Sequence, residues 1–410
     1  MNTKIILIVA YFGFMLNACG SNPTGKNEDQ NSDSSVVSVE TKKPNSDYRP
    51  AFTGQTRIKA IKTSVSYEAA KLTDELKKPW GIVSLPDGRF LITEKGGSMR
   101  IVSPTGKVGE KITGIPAVNS DGQGGLLGLT LDKEFKTNRM VYWAFSENMP
   151  EGNLTAVAKG KLSVDEKSLE NVKVIYRATP AYDGTLHYGG RVIFDKTGNL
   201  LLSTGERSDK VTRPQAQDLN SGLGKIIRIT TDGQPAAGNP FANDQKARPE
   251  IYSYGHRNVQ GLALHPVTGD IWENEFGPKG GDEINLIQPG KNYGWPTITY
   301  GLEYTGFKVG EGLTKQDGLE QPVYYWDPVL SPSGMTFYNG TEVAEWKNNL
   351  FICGLNSNHI ARLVIENNKV TGEERLLEDE GQRFRDITMG NDGKLYAITD
   401  EGRLYRIGKK

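Results

Sequence analysis

Short runs of alternating apolar and polar residues, rich in β-branched and aromatic side chains, recur along most of the chain between turns such as Asp-Gly and Gly-Asn. This period-2 pattern is typical of half-buried antiparallel strands. The same unit of strand, turn, strand, glycine turn and strand begins near Trp80, Gly125, Gly190, Gly261, Ser333 and Arg385. Six copies predict an all-β fold, a six-bladed β-propeller with four-stranded antiparallel blades. A pair of β-sandwiches is the weaker alternative.

The first residues predict export. Lys4 precedes an apolar run over 5–16, too short to span a membrane, which leads into Leu-Asn-Ala-Cys-Gly over 16–20. We interpret residues 1–19 as a lipoprotein signal peptide and lipobox, with the lipid anchor on Cys19. Asn17 is unusual in a lipobox, so a plain cleaved signal is the alternative. Both interpretations place the protein in the bacterial cell envelope, on the periplasmic side, and the first makes it a membrane-anchored lipoprotein.

Composition sets the domain plan and the class of partner. Residues 20–51 are Asn, Ser, Asp, Lys and Pro with few large apolar side chains, which predicts a disordered tether before the propeller domain over 52–410. The 49 basic and 49 acidic residues balance, and no basic block recommends a nucleic-acid partner. With Cys19 lipidated, Cys353 is the one remaining thiol, and we expect no intramolecular disulfide.

Two polar segments stand directly before predicted innermost strands. His187 lies in Leu-His-Tyr-Gly-Gly, where the glycines allow close approach of a ligand and the imidazole suits general-base chemistry. A packed structural histidine is the alternative. Arg257 lies in Tyr-Gly-His-Arg-Asn and offers a fork of donors to a carbonyl or carboxylate, or else a salt bridge at the rim.

Three further segments suggest ligand or metal binding. The acidic, glycine-rich stretch over 274–285 suits Ca²⁺ through carboxylates and turn carbonyls, although such turns are often only solvated. Arg383 and Arg385 stand on one face of a strand start and could meet an anionic ligand. Gln123 is the polar side chain that could contact a ligand in the glycine-rich segment leading into the second blade. The chain has no zinc pattern, phosphate loop or activated-serine motif.

Taken in order, the segments DGQGGLLGL, HYGGR, SYGHRN, EFGPKGGDEIN, NYGWP and RFRD resemble the soluble PQQ-dependent aldose sugar dehydrogenases, relatives of soluble quinoprotein glucose dehydrogenase. The likeness runs from about Trp80 to Ile407. It implies that His187 is the base that takes the anomeric hydroxyl proton while hydride passes to PQQ. It also implies that Arg257 polarises the quinone carbonyl, Gln123 faces the substrate and Asn258 faces the quinone.

The resemblance also implies two calcium sites. The carbonyls of Gly277 and Pro278 would hold the Ca²⁺ that bridges to PQQ, and Glu283 with the Tyr293 carbonyl would hold a structural Ca²⁺. The remaining PQQ contacts would come from Tyr304, Arg383 and Arg385.

Three positions separate this chain from its relatives. Asn356 stands where relatives place a lysine that binds PQQ, so one charged anchor is missing. Leu186 replaces an aspartate of the glucose dehydrogenases, and Glu206 stands where an aspartate orients the base. Leu186 and Glu206 are typical of the aldose sugar dehydrogenases rather than of the glucose dehydrogenases.

The expected function is PQQ- and calcium-dependent oxidation of an aldose at C1 to its lactone, with electrons passed to an unidentified envelope acceptor. The oligomeric state stays open between monomer and homodimer. The first alternative is a non-catalytic propeller that binds glycan or protein in the envelope. A metal-dependent lactonase is the weaker alternative, because its axial cluster of Glu, Asn and Asp is not evident.

Overall fold

Six four-stranded antiparallel sheets organise residues 37–410, the part of the chain that this computed structural model describes. Strand β1 spans Tyr67–Thr73 and is the outer strand of the last sheet. Blade 1 contains β2 (Pro79–Ser84), β3 (Phe90–Glu94), β4 (Ser98–Val102) and β5 (Val108–Ile112). Blade 2 contains β6 (Leu126–Leu131), β7 (Met140–Met149), β8 (Gly152–Leu162) and β9 (Leu169–Arg177). Blade 3 contains β10 (Val192–Phe194), β11 (Leu200–Ser203), β12 (Lys225–Ile229) and β13 (Ile251–Tyr254).

The second half of the ring repeats this order. Blade 4 contains β14 (Val259–Leu264), β15 (Ile271–Glu275), β16 (Asp282–Ile287) and β17 (Tyr324–Trp326). Blade 5 contains β18 (Pro332–Phe337), β19 (Leu350–Gly354), β20 (Ile360–Glu366) and β21 (Lys369–Leu376). Blade 6 contains β22 (Phe384–Met389), β23 (Leu395–Thr399) and β24 (Leu404–Lys409) and is completed by β1.

Helical structure in residues 37–410 is limited to single turns. They are α1 (Phe135–Asn138) and the 3₁₀ turns Arg213–Ala216, Ala344–Trp346 and Glu378–Glu380. Within this range no helix has the length and apolar character needed to cross a membrane.

The first strand of each blade forms the inner wall of the ring. Strands β2, β6, β10, β14, β18 and β22 contact one another in sequence, and β22 returns to β2. The ring closes because β1 pairs antiparallel with β24, with Tyr67 opposite Lys409. These observations confirm the predicted six-bladed propeller, and each inner strand begins within two residues of its predicted start.

The apolar core lies between the blades. Five of six buried clusters join side chains of two neighbouring blades, as where Leu91 of blade 1 packs with Trp143 of blade 2. The sixth joins blades 2 and 3 and includes Trp80 of blade 1. Middle strands such as β3 are buried at every position, since both of their faces are covered. Buried apolar area between blades is therefore the main stabilising contribution.

A buried ion pair crosses the axis of the ring. Arg191, at the start of blade 3, places Nη1 2.7 Å from Oδ2 of Asp386 in blade 6, on the opposite side. The same Oδ2 accepts the Ile82 backbone N–H of blade 1, and Arg191 Nε donates to the Gln260 carbonyl of blade 4. The guanidinium also lies 4.5 Å from the centroid of the Trp80 ring. Four of the six blades are thus joined at the axis.

This ion pair separates two cavities. The larger, about 810 Å³, lies where the inner strands begin and includes Trp80, Gln260 and Arg385 in its wall. The smaller, about 500 Å³, lies where those strands end and is bounded by Arg191 and Asp386. The larger cavity is therefore a pocket with a floor, open on one side of the ring.

The segment over 37–51 differs from the expected tether. The backbone N–H groups of Asn45 and Ser46 donate to the two carboxylate oxygens of Asp327, at 2.7 and 3.1 Å, and Asn45 also lines the larger cavity. The side chain of Arg57 donates to the Asp327 carbonyl. These polar contacts compensate for the scarcity of apolar side chains that led to the tether prediction. The predicted signal peptide, Cys19 and the first part of the tether lie outside the described residues.

We predict that Asp386→Asn destabilises the folded protein by about 3–5 kcal/mol, because it leaves the Arg191 charge buried without its partner. Urea unfolding monitored by tryptophan fluorescence would measure the loss. Asp74→Asn, which breaks the exposed ion pair with Lys71, is the matched control and should leave the unfolding midpoint unchanged. Equal midpoints for the two variants would contradict the axial role of the pair.

Candidate active site

The larger cavity brings together eight of the residues that the sequence singles out. They are Gln123, His187, Gly277, Pro278, Tyr304, Asn356, Arg383 and Arg385. They come from five blades and converge because each stands near the start of an inner strand or on a loop at that end. A concave site built from many blades is where a propeller binds its ligand.

His187 is held as a neutral imidazole. Its Nδ1 donates to Glu206 Oε1 at 2.6 Å, so Nε2 is the ring nitrogen left to accept a proton. Burial, reinforced by the nearby Arg257 guanidinium, lowers the pKa of His187 to about 4, while Glu206 acts in the opposite direction. An oriented, neutral imidazole facing a cavity is competent as a general base.

The peptide group before His187 is fixed on both sides. The His187 N–H donates to Gln123 Oε1 at 2.9 Å, and the Leu186 carbonyl accepts from Arg207 Nε at 3.0 Å. His187 has φ +48°, a left-handed value that a non-glycine residue keeps only where its surroundings impose it. Arg207 also donates to the Gly184 carbonyl and therefore holds the whole segment that carries the imidazole. Sequence analysis missed Arg207, although it directly follows Glu206.

Arg257 is buried beneath the cavity. Its Nη1 donates to the Gly277 carbonyl at 2.7 Å and to the Phe276 carbonyl at 3.2 Å, and its guanidinium lies 5.1 Å from the Trp295 ring centroid. The guanidinium thus contacts one of the two carbonyls expected to face a calcium ion. The expectation that Arg257 polarises the quinone carbonyl stays a prediction.

Asn258 lies behind the cavity wall. It is fully buried, and its Oδ1 accepts the Gly189 N–H at 3.0 Å and the Gln260 side-chain amide at 3.2 Å. Within residues 37–410, Nδ2 of Asn258 has no hydrogen-bond partner. Asn258 therefore supports the glycine turn that follows His187, and its expected contact with a quinone stays a prediction.

A buried acidic face lies behind Gly277 in blade 4. Glu275 stands opposite Glu283, and Glu273 stands opposite Asn285, on the paired strands β15 and β16. The Asn285 amide bridges Glu273 and Glu283, at 2.7 and 3.2 Å, and Glu273 Oε2 has no hydrogen-bond partner among the described residues. Burial and the neighbouring Glu275 charge raise the pKa of Glu273 and of Glu283 well above the ordinary value.

A small void adjoins this acidic face. It holds about 10 Å³ and is lined by Glu275, Gly277, Glu283 and Tyr293, among others. A space of this size admits one water molecule or one ion. The Glu275 and Glu283 carboxylates are ligands of the kind that Ca²⁺ prefers, but Arg257 lines the same void. Glu283 and Tyr293 as calcium ligands stay a prediction.

One wall of the larger cavity is cationic. Arg383 Nε and Arg385 Nε lie 3.0 and 2.7 Å from the carboxylate of Asp400, which orients both guanidinium groups. Lys78 and Lys95 line the same cavity. Neither lysine nor Asp400 was singled out from the sequence, because each stands in a blade turn whose residues carry no distinctive motif.

Tyr304 and Asn356 stand at the rim. Tyr304 is 71% exposed and lies on a loop anchored by the ion pair between Glu303 and Arg213, at 2.5 Å. Asn356 is exposed in the connection between β19 and β20 of blade 5 and presents an uncharged amide to the cavity.

Comparison with known proteins identifies the family. The family model described as "Glucose / Sorbosone dehydrogenase" matches residues 76–406. The chain is 41% identical to the aldose sugar dehydrogenase YliI of Escherichia coli over 83% of this chain and 92% of that one. It is 25% identical to quinoprotein glucose dehydrogenase B of Acinetobacter calcoaceticus, over 82% and 86% of the two chains. The PQQ-bound aldose sugar dehydrogenase of Streptomyces coelicolor superposes with a TM-score of 0.70 at 28% identity, over 85% of this chain and all of that one.

The fold is a six-bladed propeller with a concave candidate site at its axis. Its relatives are named as sugar dehydrogenases. The chain belongs to the glucose/sorbosone dehydrogenase family.

We predict that His187 stays neutral above about pH 5, since its pKa is lowered to about 4. Long-range ¹H–¹⁵N NMR spectra should show the Nδ1–H form at pH 7, and His265, near the surface, should titrate at higher pH as an internal control. Glu206→Gln should lower the His187 pKa further, because it removes the charge that favours the imidazolium. A His187 titration near pH 6.5 would contradict the assignment.

Proposed function

We propose that this protein oxidises aldose sugars at C1 to the lactone, using PQQ and Ca²⁺, and passes the electrons to an unidentified acceptor in the envelope. The observation that carries the proposal is the neutral, Glu206-oriented His187 facing a cavity whose wall is cationic. The named relatives support the sugar and the quinone, because one is an aldose sugar dehydrogenase and another was solved with PQQ bound.

The chain's own residues suit such a cofactor. Arg383 and Arg385 present guanidinium forks, pre-oriented by Asp400, to carboxylate groups. The cavity of about 810 Å³ has room for a fused-ring cofactor and a sugar above it. Gly277 and Pro278 would offer carbonyls to one Ca²⁺, and Glu283 with Tyr293 would offer oxygens to another. Asn258 would stand behind the cofactor ring and Tyr304 at its exposed edge.

The proton step falls to His187. Its Nε2 takes the proton of the anomeric hydroxyl, and Glu206 stabilises the resulting imidazolium through Nδ1–H. PQQ, when bound, supplies the carbonyl that accepts the hydride from C1. The Gln123 carbonyl oxygen is engaged by the His187 N–H, which leaves its amide hydrogens to orient a sugar hydroxyl. Arg257 would stabilise developing negative charge after its bonds to Phe276 and Gly277 rearrange.

A non-catalytic glycan-binding propeller would not need a buried histidine fixed at its ring, its amide and the preceding carbonyl. We therefore favour the dehydrogenase over that alternative.

We predict that protein reconstituted with PQQ and Ca²⁺ reduces an artificial dye with glucose or other aldoses, and that omission of either cofactor abolishes this reaction. His187→Ala should lower kcat by roughly 10²–10⁴-fold, because the proton acceptor is lost. His265→Ala is the matched control and should retain the wild-type rate. Failure of the wild-type protein to bind PQQ by absorption or calorimetry would contradict the proposal.

We also infer, from the motif over 16–20, that the protein is anchored in the envelope through Cys19. Expressed in a bacterial host, the full chain should incorporate labelled palmitate and sediment with membranes, whereas Cys19→Ser should do neither. Cys353→Ser is the matched control, since Cys353 is a buried free thiol. Equal labelling of wild type and Cys19→Ser would disprove the anchor.

A further inference from the structure

Two lysines stand side by side on the cationic wall. The Lys95 backbone N–H donates to the Lys78 carbonyl at 3.0 Å, where β3 ends and β2 is about to begin. Lys78 has φ +48°, an uncommon value for a residue with a side chain, which fixes the backbone at the entry to β2. Both side chains line the same cavity as Arg383 and Arg385.

The charges on this wall are not balanced within the protein. Asp400 is the carboxylate that Arg383 and Arg385 share. Lys95 Nζ donates to the Gly122 carbonyl, a neutral group. Among residues 37–410, neither Lys78 nor Lys95 has a carboxylate within ion-pair distance.

The neighbouring cations also change the pKa of Lys95. Burial, together with the positive charges of Lys78 and Arg385, lowers the pKa of the Lys95 ammonium. An anion placed among these groups would relieve their mutual repulsion, so the wall is complementary to a ligand with several negative charges.

We propose that Lys95, with Lys78 beside it, binds a carboxylate of the cofactor and supplies the charge that Asn356 does not. The inference rests on the proposed function, and PQQ, a tricarboxylate, has more carboxylates than the two arginines can pair after sharing Asp400. The protein thus anchors its cofactor from the turn after β3 in blade 1, where Lys95 stands, rather than from the connection after β19 in blade 5, where Asn356 stands.

A purely positional role for Lys95 makes a different prediction. Through the Gly122 carbonyl, Lys95 also holds the loop that carries Gln123, and loss of that contact would disturb the sugar side of the site. Such a role would depend on the hydrogen bond and the shape of the side chain, and salt would not change it. A direct contact with the cofactor depends on charge and is screened by salt.

Titration calorimetry of PQQ into the Ca²⁺-loaded protein, at several salt concentrations, tests the proposal. We expect Lys95→Gln to raise the Kd for PQQ by roughly tenfold to a hundredfold, because a charge-assisted hydrogen bond is lost. Its Kd should also depend less steeply on salt. Lys95→Arg should bind within a few-fold of wild type, and adding Asn356→Lys to Lys95→Gln should recover much of the affinity.

Lys133→Gln is the matched control, since the exposed Lys133 borders the smaller cavity and its loss removes the same charge far from the site. Circular dichroism would verify that each variant folds. Wild-type affinity in Lys95→Gln would overturn the inference and leave the proposed function standing. Equal weakening in Lys95→Gln and Lys95→Arg, with an unchanged salt slope, would overturn it in favour of positioning. No PQQ binding by the wild type would overturn both.

Discussion

The ion pair between Arg191 and Asp386 is the constraint on which the site depends. It joins opposite blades at the axis, and Arg191 contacts Trp80 and Gln260, which line the larger cavity, while the pair itself borders the smaller one. Both groups are buried, and each also bonds the backbone of a further blade. The inner strands therefore begin at fixed distances from one another, and every candidate site residue inherits its position from that arrangement.

Above this ion pair, the protein leaves two electrostatic imbalances. One wall of the cavity carries more cations than its single Asp400 can pair. The face behind Gly277 places the buried Glu273 and Glu275 close to the half-buried Glu283, with His256 Nδ1 3.1 Å from Glu275. Like charges held close together repel one another unless a counter-charge lies between them. A polycarboxylate on the first face and a divalent cation on the second would do so, and this complementarity supports the proposed cofactors.

His187 illustrates how local strain serves chemistry. Its left-handed backbone would relax in an isolated peptide, but Gln123, Arg207 and Glu206 hold its amide, the preceding carbonyl and its ring. Two separate segments of the chain, at Gln123 and at Glu206–Arg207, thus fix one imidazole. Pre-organisation of this kind removes the cost of reorienting the base during reaction.

The sequence by itself determined the propeller and the convergence of His187, Gln123, Gly277 and Arg385, because alternation, turns and motif order are local properties repeated blade by blade. Only the tertiary structure decided which distant groups meet. Asp386 lies 195 positions from Arg191, Asp327 caps the segment at Asn45, and Arg257 bonds the Gly277 carbonyl. Lys95 lies in a turn after β3 that has no distinctive sequence, and it shares a cavity with Arg385 only because β2 of blade 1 packs beside β22 of blade 6. Such pairings depend on how the ring closes, which no single segment of the chain encodes.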